Sequence, residues 1–506
     1  MPGKRAWLTL MAGLLGCCSF AVHASHCTGP FPSVSCLTVR PGPAPRVATV
    51  DGQEPPTLTA ARPVDQMQTS EDPTRATEKS LPRSKDELFG QGKPGDITIK
   101  EKPAVALRGF LQQETAYTYA SPAHWSRAVT YAQVGALGQI TDNLKWKATV
   151  RGDVDPIYIW SNFYNDAVKQ DQRASFLIEE TYIDTSIANW DLRIGRQHIV
   201  WGEVIGLFIA DVVSAQNQLE FILPPFDIIR VPQWAARAEY FLGDTHLELI
   251  WIPYPTYNRV GKPGADFFPV QTTPPPGFTQ TFLPEIQPDH TLANSNYGMR
   301  LSTLKNGWDV SGFYYHSEDA APTFTRNVMI TPTPTLIYQP QHNRIWQIGG
   351  TAGKAFGSVV FHTEAVYTSG RQYEVTVLSQ PNGVVPQNTL AYIFSLDFTL
   401  PRDTLLNVQL LQNVFFNHNP DLLFDQYETA ASVMLRGKLG SKFEPEILWI
   451  QSLNRWENVI RPRLTWRPAT NWRAAFGVDI FNGPITGYFG RFRDRDRVYL
   501  ELHYDF

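Results

Sequence analysis

The chain has 506 residues, of which 43% are hydrophobic, and its mean hydropathy is −0.24. Helical membrane proteins with several spans are more apolar, and no stretch after the N-terminal region approaches about eighteen consecutive apolar residues, so that class is excluded. The net charge of −4 says nothing about the fold and does not indicate a nucleic-acid partner.

Residues 1–24 have the pattern of a secretory signal peptide. Two basic residues precede an apolar run that ends at Phe20, and the small residues Val22 and Ala24 form a cleavage site. We therefore expect export of the mature chain from the cytoplasm. A looser lipoprotein-type box that ends at Cys17 is the competing site, and its use would place a lipid on that cysteine.

Cysteine usage agrees with export. Outside the signal peptide only Cys27 and Cys36 are present. In the oxidising periplasm we expect a disulfide between them that closes a small loop. The alternative is a pair of free thiols in an unstructured tail.

Residues 25–103 form a Pro-rich segment. From Pro30 to Pro103 there are twelve prolines and only two aromatic residues, Phe31 and Phe89. Such a segment buries too little apolar surface to offset the entropy of ordering, so we predict a disordered periplasmic leader. A leader that binds a periplasmic partner or folds into the mouth of the following domain is the alternative.

Residues 104–506 contain about eighteen segments of roughly ten residues in which apolar and polar side chains alternate. Near the C-terminus, for example, Trp472 and Phe476 share one face of a predicted strand, and Arg473 and Asp479 share the other. A soluble β-sandwich also alternates in this way. Tryptophans recur at the segment ends, however, and this placement is typical of the interfacial girdles of membrane barrels.

The links between the segments alternate in length. The short links contain Gly, Asn, Asp or Pro turn residues and lie at 141–143, 188–189, 243–244, 305–307, 355–357, 401–403, 439–442 and 468–471. The long links lie at 155–175, 200–233, 254–295, 318–342, 370–388, 417–426 and 482–496. This parity predicts an all-β fold, a transmembrane antiparallel up-and-down β-barrel of about eighteen strands.

Two prolines, Pro445 and Pro462, fall inside predicted strands. Each removes a donor from the hydrogen-bond ladder and weakens the assignment of its strand. If one weak hairpin is a loop, the barrel has sixteen strands.

The long link at about 202–233 is strongly apolar for a loop exposed to water. We predict that it folds into the lumen and narrows it, with four charged residues available to line the opening: Asp211, Glu220, Asp227 and Arg230. The alternative is a contact with the outer leaflet or with a protein partner.

Arginine is concentrated in the last three predicted strands. If the alternation is continued, five arginines form a basic arc of the inner wall: Arg461, Arg463, Arg467, Arg473 and Arg497. Such an arc would favour anions. Alternatively, the arginines pair with neighbouring carboxylates and only stiffen the wall.

The chain ends in an alternating strand, 497–506, whose last residue is Phe506. This ending resembles the closing strand of bacterial outer-membrane barrels, in which a terminal Phe is part of the signal to the barrel-assembly machinery. The resemblance implies that machinery as a partner and the outer membrane of a Gram-negative bacterium as the location.

The segment Leu192–Glu203, followed by Asp211, Pro224-Pro225-Phe226-Asp227 and Arg230-Val231-Pro232, resembles a large proteobacterial family of porin-like outer-membrane proteins recorded as a domain of unknown function. The alginate-export porins are more distantly similar. The likeness implies a channel that handles hydrophobic or bulky organic compounds. This chain departs from the pattern in its long leader and in lacking Asn-Pro before the aspartate.

Within that motif we expect a hinge between the wall and the inward loop, formed by Gly195, Arg196, Trp201, Gly202 and Glu203. Glycines permit a bend or a close approach, Arg196 can reach loop carboxylates, and Trp201 can pack at the interface where the chain turns inward.

A barrel of sixteen to eighteen strands is too wide for side chains to fill, so passage is the expected function. We predict passive diffusion of small organic solutes, either anionic or hydrophobic, in contact with outer-membrane lipid, without a cofactor or catalysis. The alternatives are an outer-membrane barrel enzyme and a surface-binding barrel, although no G-x-S-x-G nucleophile motif occurs. A homo-oligomer is compatible with the sequence.

Overall fold

The computed structural model describes residues 105–270, 274–330 and 332–506. The predicted signal peptide, the Pro-rich leader and the cysteines Cys17, Cys27 and Cys36 lie outside the described residues. Within those residues, no helix has the length and apolar character needed to cross a membrane.

The described residues form a closed antiparallel barrel of eighteen long strands, which confirms the prediction of about eighteen. Numbered in chain order, the strands are β1 Val105–Thr118, β2 Thr130–Thr141, β3 Leu144–Val154, β4 Ala174–Ile187, β5 Trp190–Gln197, β6 Gln233–Leu242, β7 Thr245–Tyr254, β8 Asn296–Lys305, β9 Trp308–Glu318, β10 Arg344–Phe356, β11 Val359–Ser369, β12 Asn388–Leu400, β13 Thr404–Phe416, β14 Tyr427–Arg436, β15 Phe443–Ser452, β16 Asn458–Ala469, β17 Trp472–Asn482 and β18 Arg497–Asp505.

The barrel closes where the first strand meets the last. β1 pairs with β18 in a register that runs from Phe110 opposite Asp505 to Thr118 opposite Arg497. The N–H of Phe506 donates to the carbonyl of Gly109 at 3.0 Å, and the Gly109 N–H donates back at 3.0 Å. Closure leaves no free sheet edge. A sheet in lipid requires this, because unpaired backbone groups at an edge would have no water to bind.

The smaller elements lie in the loops. The short strands are His124–Arg127, Ala215–Gln216, Arg230–Val231, Thr279–Phe282, Thr323–Met329, Thr335–Gln341, Gln372–Glu374 and Val384–Pro386. The helices are Ile157–Trp160, Asp166–Gln172 and Phe226–Ile229, with 3-10 turns at Leu292–Asn294 and Gly490–Phe492.

Side chains alternate across the wall as the sequence pattern predicted. On β3, Val150 is exposed on the outside, and Thr149 and Arg151 are buried on the inside. On β17, Phe476 is exposed and Asp479 is fully buried. Because successive side chains in a strand point to opposite faces, the apolar set forms the outer surface and the polar set lines the lumen.

Short turns and long loops alternate around the barrel, as predicted. Positive φ angles at Gly243, Asn306 and Gly307 allow tight turns in the short links. Two further loops join strands at the long-loop end, at 119–129 and 453–457. The alternation pattern did not reveal the first because it contains a short strand, and it did not reveal the second because that loop is short.

Pro445 and Pro462 lie within the continuous strands β15 and β16, although the pairing of β16 with β17 skips Arg461 and Pro462. Pro445 lies opposite Leu464, and Pro462 lies opposite Ile447, in the continuous pairing of β15 with β16. A proline removes only the donor of its own residue, and the Pro445 carbonyl still accepts from the N–H of Gly437 at 3.0 Å.

Candidate pore and internal loop

The chain between β5 and β6, residues 198–232, lies against the inner wall of the barrel and is called the internal loop. Its first part packs on inward side chains of β6, β7, β9 and β11. Trp201 is fully buried there, with its ring 5.1 Å from that of Phe313 and its indole N–H donating to Glu248 at 3.3 Å. Trp201 therefore packs inside the lumen, against the wall at the point where the chain turns inward.

The carboxylate of Glu364, on the inner face of β11, holds the first part of the internal loop. It accepts N–H groups from Glu203, from Val204 at 2.8 Å and from Ala210 at 2.8 Å. Backbone N–H groups of an irregular loop have no ladder partner, and buried donors need an acceptor. One wall carboxylate therefore replaces water for three donors of the loop.

The second part of the internal loop reaches a different sector of the wall. Leu223 packs in an apolar cluster with inward residues of β15, β16 and β17. Arg461 of β16 donates to the Leu223 carbonyl at 2.8 Å, and Gln409 of β13 donates to the Ile205 carbonyl at 2.8 Å. These contacts show that the loop crosses the lumen from the β6–β11 side to the β15–β17 side.

A buried group of charges fixes the loop where the barrel closes. Glu220 of the internal loop pairs with Arg127 at 2.9 Å and with Arg497 at the start of β18. Asp479 then joins Arg497 at 2.9 Å and Arg461 at 2.8 Å. We call Arg127, Glu220, Asp479 and Arg497 the closure cluster. Each of these buried charges has an opposite charge, which a low-dielectric position demands.

Two of the other predicted loop charges pair with each other within the internal loop. Asp211 pairs with Arg230 at 2.8 Å and accepts the Ser214 hydroxyl at 3.0 Å. The Arg230 guanidinium lies 5.5 Å from the centre of the Phe208 ring. Asp227 lies in the helix Phe226–Ile229, but its side chain falls outside the described residues.

The two glycines of the motif are required by close backbone approaches. Gly195 has φ +132°, and a Cβ there would lie 2.4 Å from the carbonyl oxygen of Thr181 on β4. A Cβ on Gly202 would lie 2.9 Å from the backbone nitrogen of Asp211. The motif therefore bends the wall strand and folds the loop back on itself.

The charged motif residues differ in their surroundings. Glu203 pairs with Arg300 of β8 at 3.3 Å and lies 4.0 Å from His362 of β11. Arg196 pairs across the strands with Thr181, and its Nε is buried without a hydrogen-bond partner among the described residues. Nor does any ion pair link Arg196 to a loop carboxylate within that same part of the chain.

All five arginines of the predicted basic arc have carboxylate partners. Glu501 of β18 pairs with both Arg463, at 3.0 Å, and Arg473, at 3.1 Å. Arg467 pairs with Glu444 at 3.0 Å, and Arg461 and Arg497 share Asp479. The geometry corresponds to the alternative in which the wall arginines pair with neighbouring carboxylates.

A neutral polar sector of the wall was not recognised from the sequence. Ser311 and Thr351 share a hydrogen bond of 2.9 Å across β9 and β10, and Asn407 donates to Ser395 at 2.9 Å across β12 and β13. The alternation places these residues inward, but hydroxyl and amide side chains gave no charge signal. Arg127 was also missed, because the loop that contains it was not identified.

Asp155 is one of the carboxyls outside the barrel strands whose pKa is shifted. Asp155 follows β3, is buried, and accepts N–H groups from Ile157 at 3.0 Å and Ala128 at 3.1 Å. Burial raises the pKa of Asp155 to about 6, while Arg127 and the two N–H donors act in the opposite direction. The group therefore titrates near neutral pH at the loop end of the barrel.

Comparison with known families assigns the barrel domain to a family. Residues 113–506 match the family model described as "Protein of unknown function (DUF1302)". The chain belongs to this family. The match confirms the resemblance inferred from the Leu192–Glu203 motif, and it shows that the internal loop and its hinge lie within the DUF1302 region.

Several solved structures are similar to this DUF1302 chain. Salmonella typhi OmpF in complex with daunomycin is 11% identical, with coverage of 79% of this chain and 97% of that chain and a TM-score of 0.39. Acinetobacter baumannii OccAB3 is 8% identical, with coverage of 79% and 99% and a TM-score of 0.47. Pseudomonas aeruginosa OccK8 (OprE) is 8% identical, with coverage of 79% and 98% and a TM-score of 0.47. No curated protein matches the chain.

Proposed function

We propose that this protein is an outer-membrane channel through which small organic solutes diffuse passively. The observation that carries the proposal is the combination of a closed eighteen-strand barrel with the internal loop, which crosses its lumen. A barrel of this size encloses more space than its side chains fill. An inward loop narrows that space and leaves room for passage.

The outer surface supports a membrane location. Ile194 and Phe476 point outward and are 62% and 53% exposed, and many other large apolar residues share this face. Exposure of so much apolar surface to water is unfavourable, whereas lipid accommodates it. Three tryptophans begin strands at the turn end and suit an interfacial girdle: Trp190, Trp308 and Trp472.

The charges of the lumen support solutes without a strong net charge. Each of the five wall arginines pairs with a carboxylate, although Asp479 and Glu501 each serve two of them, so the pairing reduces their field at the distance of a passing solute without cancelling it. The internal loop adds partly buried apolar side chains such as Leu207 and Ile222. Of the two predicted solute classes, apolar organic solutes agree better with this lining than anions do.

The remaining predictions from the sequence complete the proposal. Residues 1–24 direct export to the periplasm of a Gram-negative bacterium, and Phe506, which is 51% exposed beside the closing seam, engages the barrel-assembly machinery. The channel works without a cofactor or catalysis in contact with outer-membrane lipid, and association into a homo-oligomer is compatible with it.

Single-channel recording on the refolded mature chain tests the channel. In a variant without native cysteines, made by Cys27→Ser and Cys36→Ser, we expect stepwise current. Adding Leu207→Cys to this variant places a thiol on the internal loop, and a charged thiol reagent should then reduce the current.

The matched control is Leu249→Cys, because Leu249 lies on the outer face of β7 and is exposed there. The same reagent should leave the current of this control unchanged. Absence of stepwise current from correctly folded protein, or equal effects at both positions, would overturn the proposal.

A further inference from the structure

Six aromatic rings meet where the internal loop touches the loop between β17 and β18. They come from four segments of the chain and are called the aromatic junction: Phe221, Phe267, Phe481, Tyr488, Phe489 and Phe492. Four of the rings are buried, whereas Phe221 is partly exposed and Tyr488 is 46% exposed. The aromatic junction therefore consists of four buried rings and two rings that are accessible.

Phe221 has a backbone conformation that its side chain disfavours. Its φ is +55°, in the left-handed region, which bulky residues adopt rarely and which costs free energy. Glycine or asparagine would relieve this strain if the turn alone mattered. Strain of this kind persists where the surroundings impose it, and such positions concentrate at functional sites.

The strained conformation brings the Phe221 ring close to other rings. Its centroid lies 4.8 Å from that of Phe492 and 5.1 Å from that of Tyr488, with interplanar angles of 51° and 56°. Phe492 and the other buried rings fix Phe221 from behind. Phe221 and Tyr488, the two partly exposed rings, are therefore neighbours at the meeting point of the two loops.

The charge beside this pair of rings is already neutralised. Glu220, the neighbour of Phe221, is 4% exposed and is engaged by both Arg127 and Arg497. Arg491 and Glu457 also act on Tyr488, and their charges are of opposite sign. An uncharged planar ring gains from tilted or offset contact with two aromatic faces.

We propose that Phe221 and Tyr488 form a binding site for uncharged planar aromatic solutes. The inference rests on the proposed channel, and it specifies a solute class and a contact site within that channel. A passing aromatic molecule rests against the two exposed rings, while the buried rings of the junction hold Phe221 in place.

Benzamide and cyclohexanecarboxamide are suitable probes, because both are neutral amides and differ in whether the ring is aromatic. Equilibrium dialysis against the refolded full chain in detergent measures binding without requiring conduction. We expect benzamide to bind more tightly than cyclohexanecarboxamide. Phe221→Leu and Tyr488→Leu should each weaken benzamide binding roughly two- to tenfold, the range that aromatic pair energies imply.

Phe176→Leu is the matched control, because Phe176 is exposed on the outer face of β4 and its loss should not change binding. Tyr488→Leu alters an exposed loop residue, so it tests the site even if Phe221→Leu fails to refold. Equal affinities for the two amides, or unchanged affinity in Tyr488→Leu, would overturn the site. Recording the current through the same samples separates the two proposals: binding without stepwise current keeps the site and rejects the channel.

Discussion

Glu220, in the middle of the internal loop, is ion-paired with Arg497, the first residue of the last barrel strand. The same carboxylate pairs with Arg127, which follows β1 in the chain. Because β1 and β18 form the closing seam, one loop residue is bound to both sides of that seam. The internal loop therefore occupies the lumen and also fastens the barrel where it closes.

Glu220→Gln should loosen this attachment. Arg497 keeps Asp479 and Arg127 keeps Glu114 at 3.4 Å, so the substitution should cost about 1–3 kcal/mol, less than the loss of an only partner would. We expect a lower thermal unfolding temperature of the refolded protein and larger open-channel current fluctuations. Glu444→Gln is the control, because Glu444 pairs with Arg467 at a more exposed place and should change stability by about 1 kcal/mol or less. Similar effects of the two substitutions would contradict the role of Glu220.

Glu364→Gln should free the first part of the internal loop. A glutamine keeps one acceptor oxygen, but its amide N–H₂ would face a backbone donor, and an unsatisfied buried group costs about 1–3 kcal/mol. We expect faster hydrogen exchange at Glu203, Val204 and Ala210, with the barrel strands unchanged. Glu446→Gln serves for comparison, because Glu446 forms only a long ion pair of 3.8 Å with Arg436, at a more exposed position. Unchanged exchange at the three loop positions would refute the role of Glu364 in holding the internal loop.

Gly195→Ala should impair barrel assembly. The new Cβ would lie 2.4 Å from the Thr181 carbonyl, and the φ of +132° is unfavourable for alanine. We expect a cost of about 1–3 kcal/mol from the backbone conformation alone, with a further penalty from the contact. Gly152→Ala is the matched control, since the nearest atom to its Cβ is 4.0 Å away. The yield of heat-modifiable folded protein on gels measures both, and equal yields would count against the constraint.

Glu501→Gln should shift ion preference toward anions. Glu501 pairs with both Arg463 and Arg473, and its neutralisation leaves these two lumen arginines without that partner. We expect the reversal potential in a salt gradient to move toward that of chloride, with a change of roughly twofold in the permeability ratio. Glu428→Gln provides the comparison, because Glu428 pairs with Arg455 near the loop end. No shift in reversal potential would show that these arginines do not face the conducting path.

Asp155 should make stability depend on pH. Because burial raises the folded pKa to about 6, above the unfolded value, the neutral acid is favoured in the folded state. Its stabilising contribution is complete below about pH 4 and is lost as the pH rises through 6. Between pH 4 and pH 7 the wild type should lose about 2 kcal/mol relative to Asp155→Asn. Urea unfolding at pH 4 and pH 7 measures the difference, and parallel pH profiles would rule out this assignment.

Much of the barrel follows from local sequence patterns. The alternation that places Trp472 and Arg473 on opposite faces depends only on neighbouring residues, because strand geometry fixes their directions. The short links are also local, since turn conformations depend on a few residues such as Asn306 and Gly307. Strand number and wall orientation were therefore predictable, whereas the short loops at 119–129 and 453–457 gave too weak a pattern.

The candidate site was predictable in composition but not in its contacts. The apolar character of the internal loop and its charges Asp211, Glu220 and Arg230 are visible in the sequence. Their partners are not, because Arg497 lies 277 residues away from Glu220. No local pattern distinguishes an arginine that faces a solute from one that meets a carboxylate.

The sequence by itself determined the strands, the turns and the two faces of the wall, since each of these depends on backbone geometry over a few residues. Only the tertiary structure decided which carboxylate balances each wall arginine, where Trp201 packs, and how Phe221 meets Tyr488. Those contacts exist only after distant segments come together around a closed lumen, and closure is a property of the whole chain.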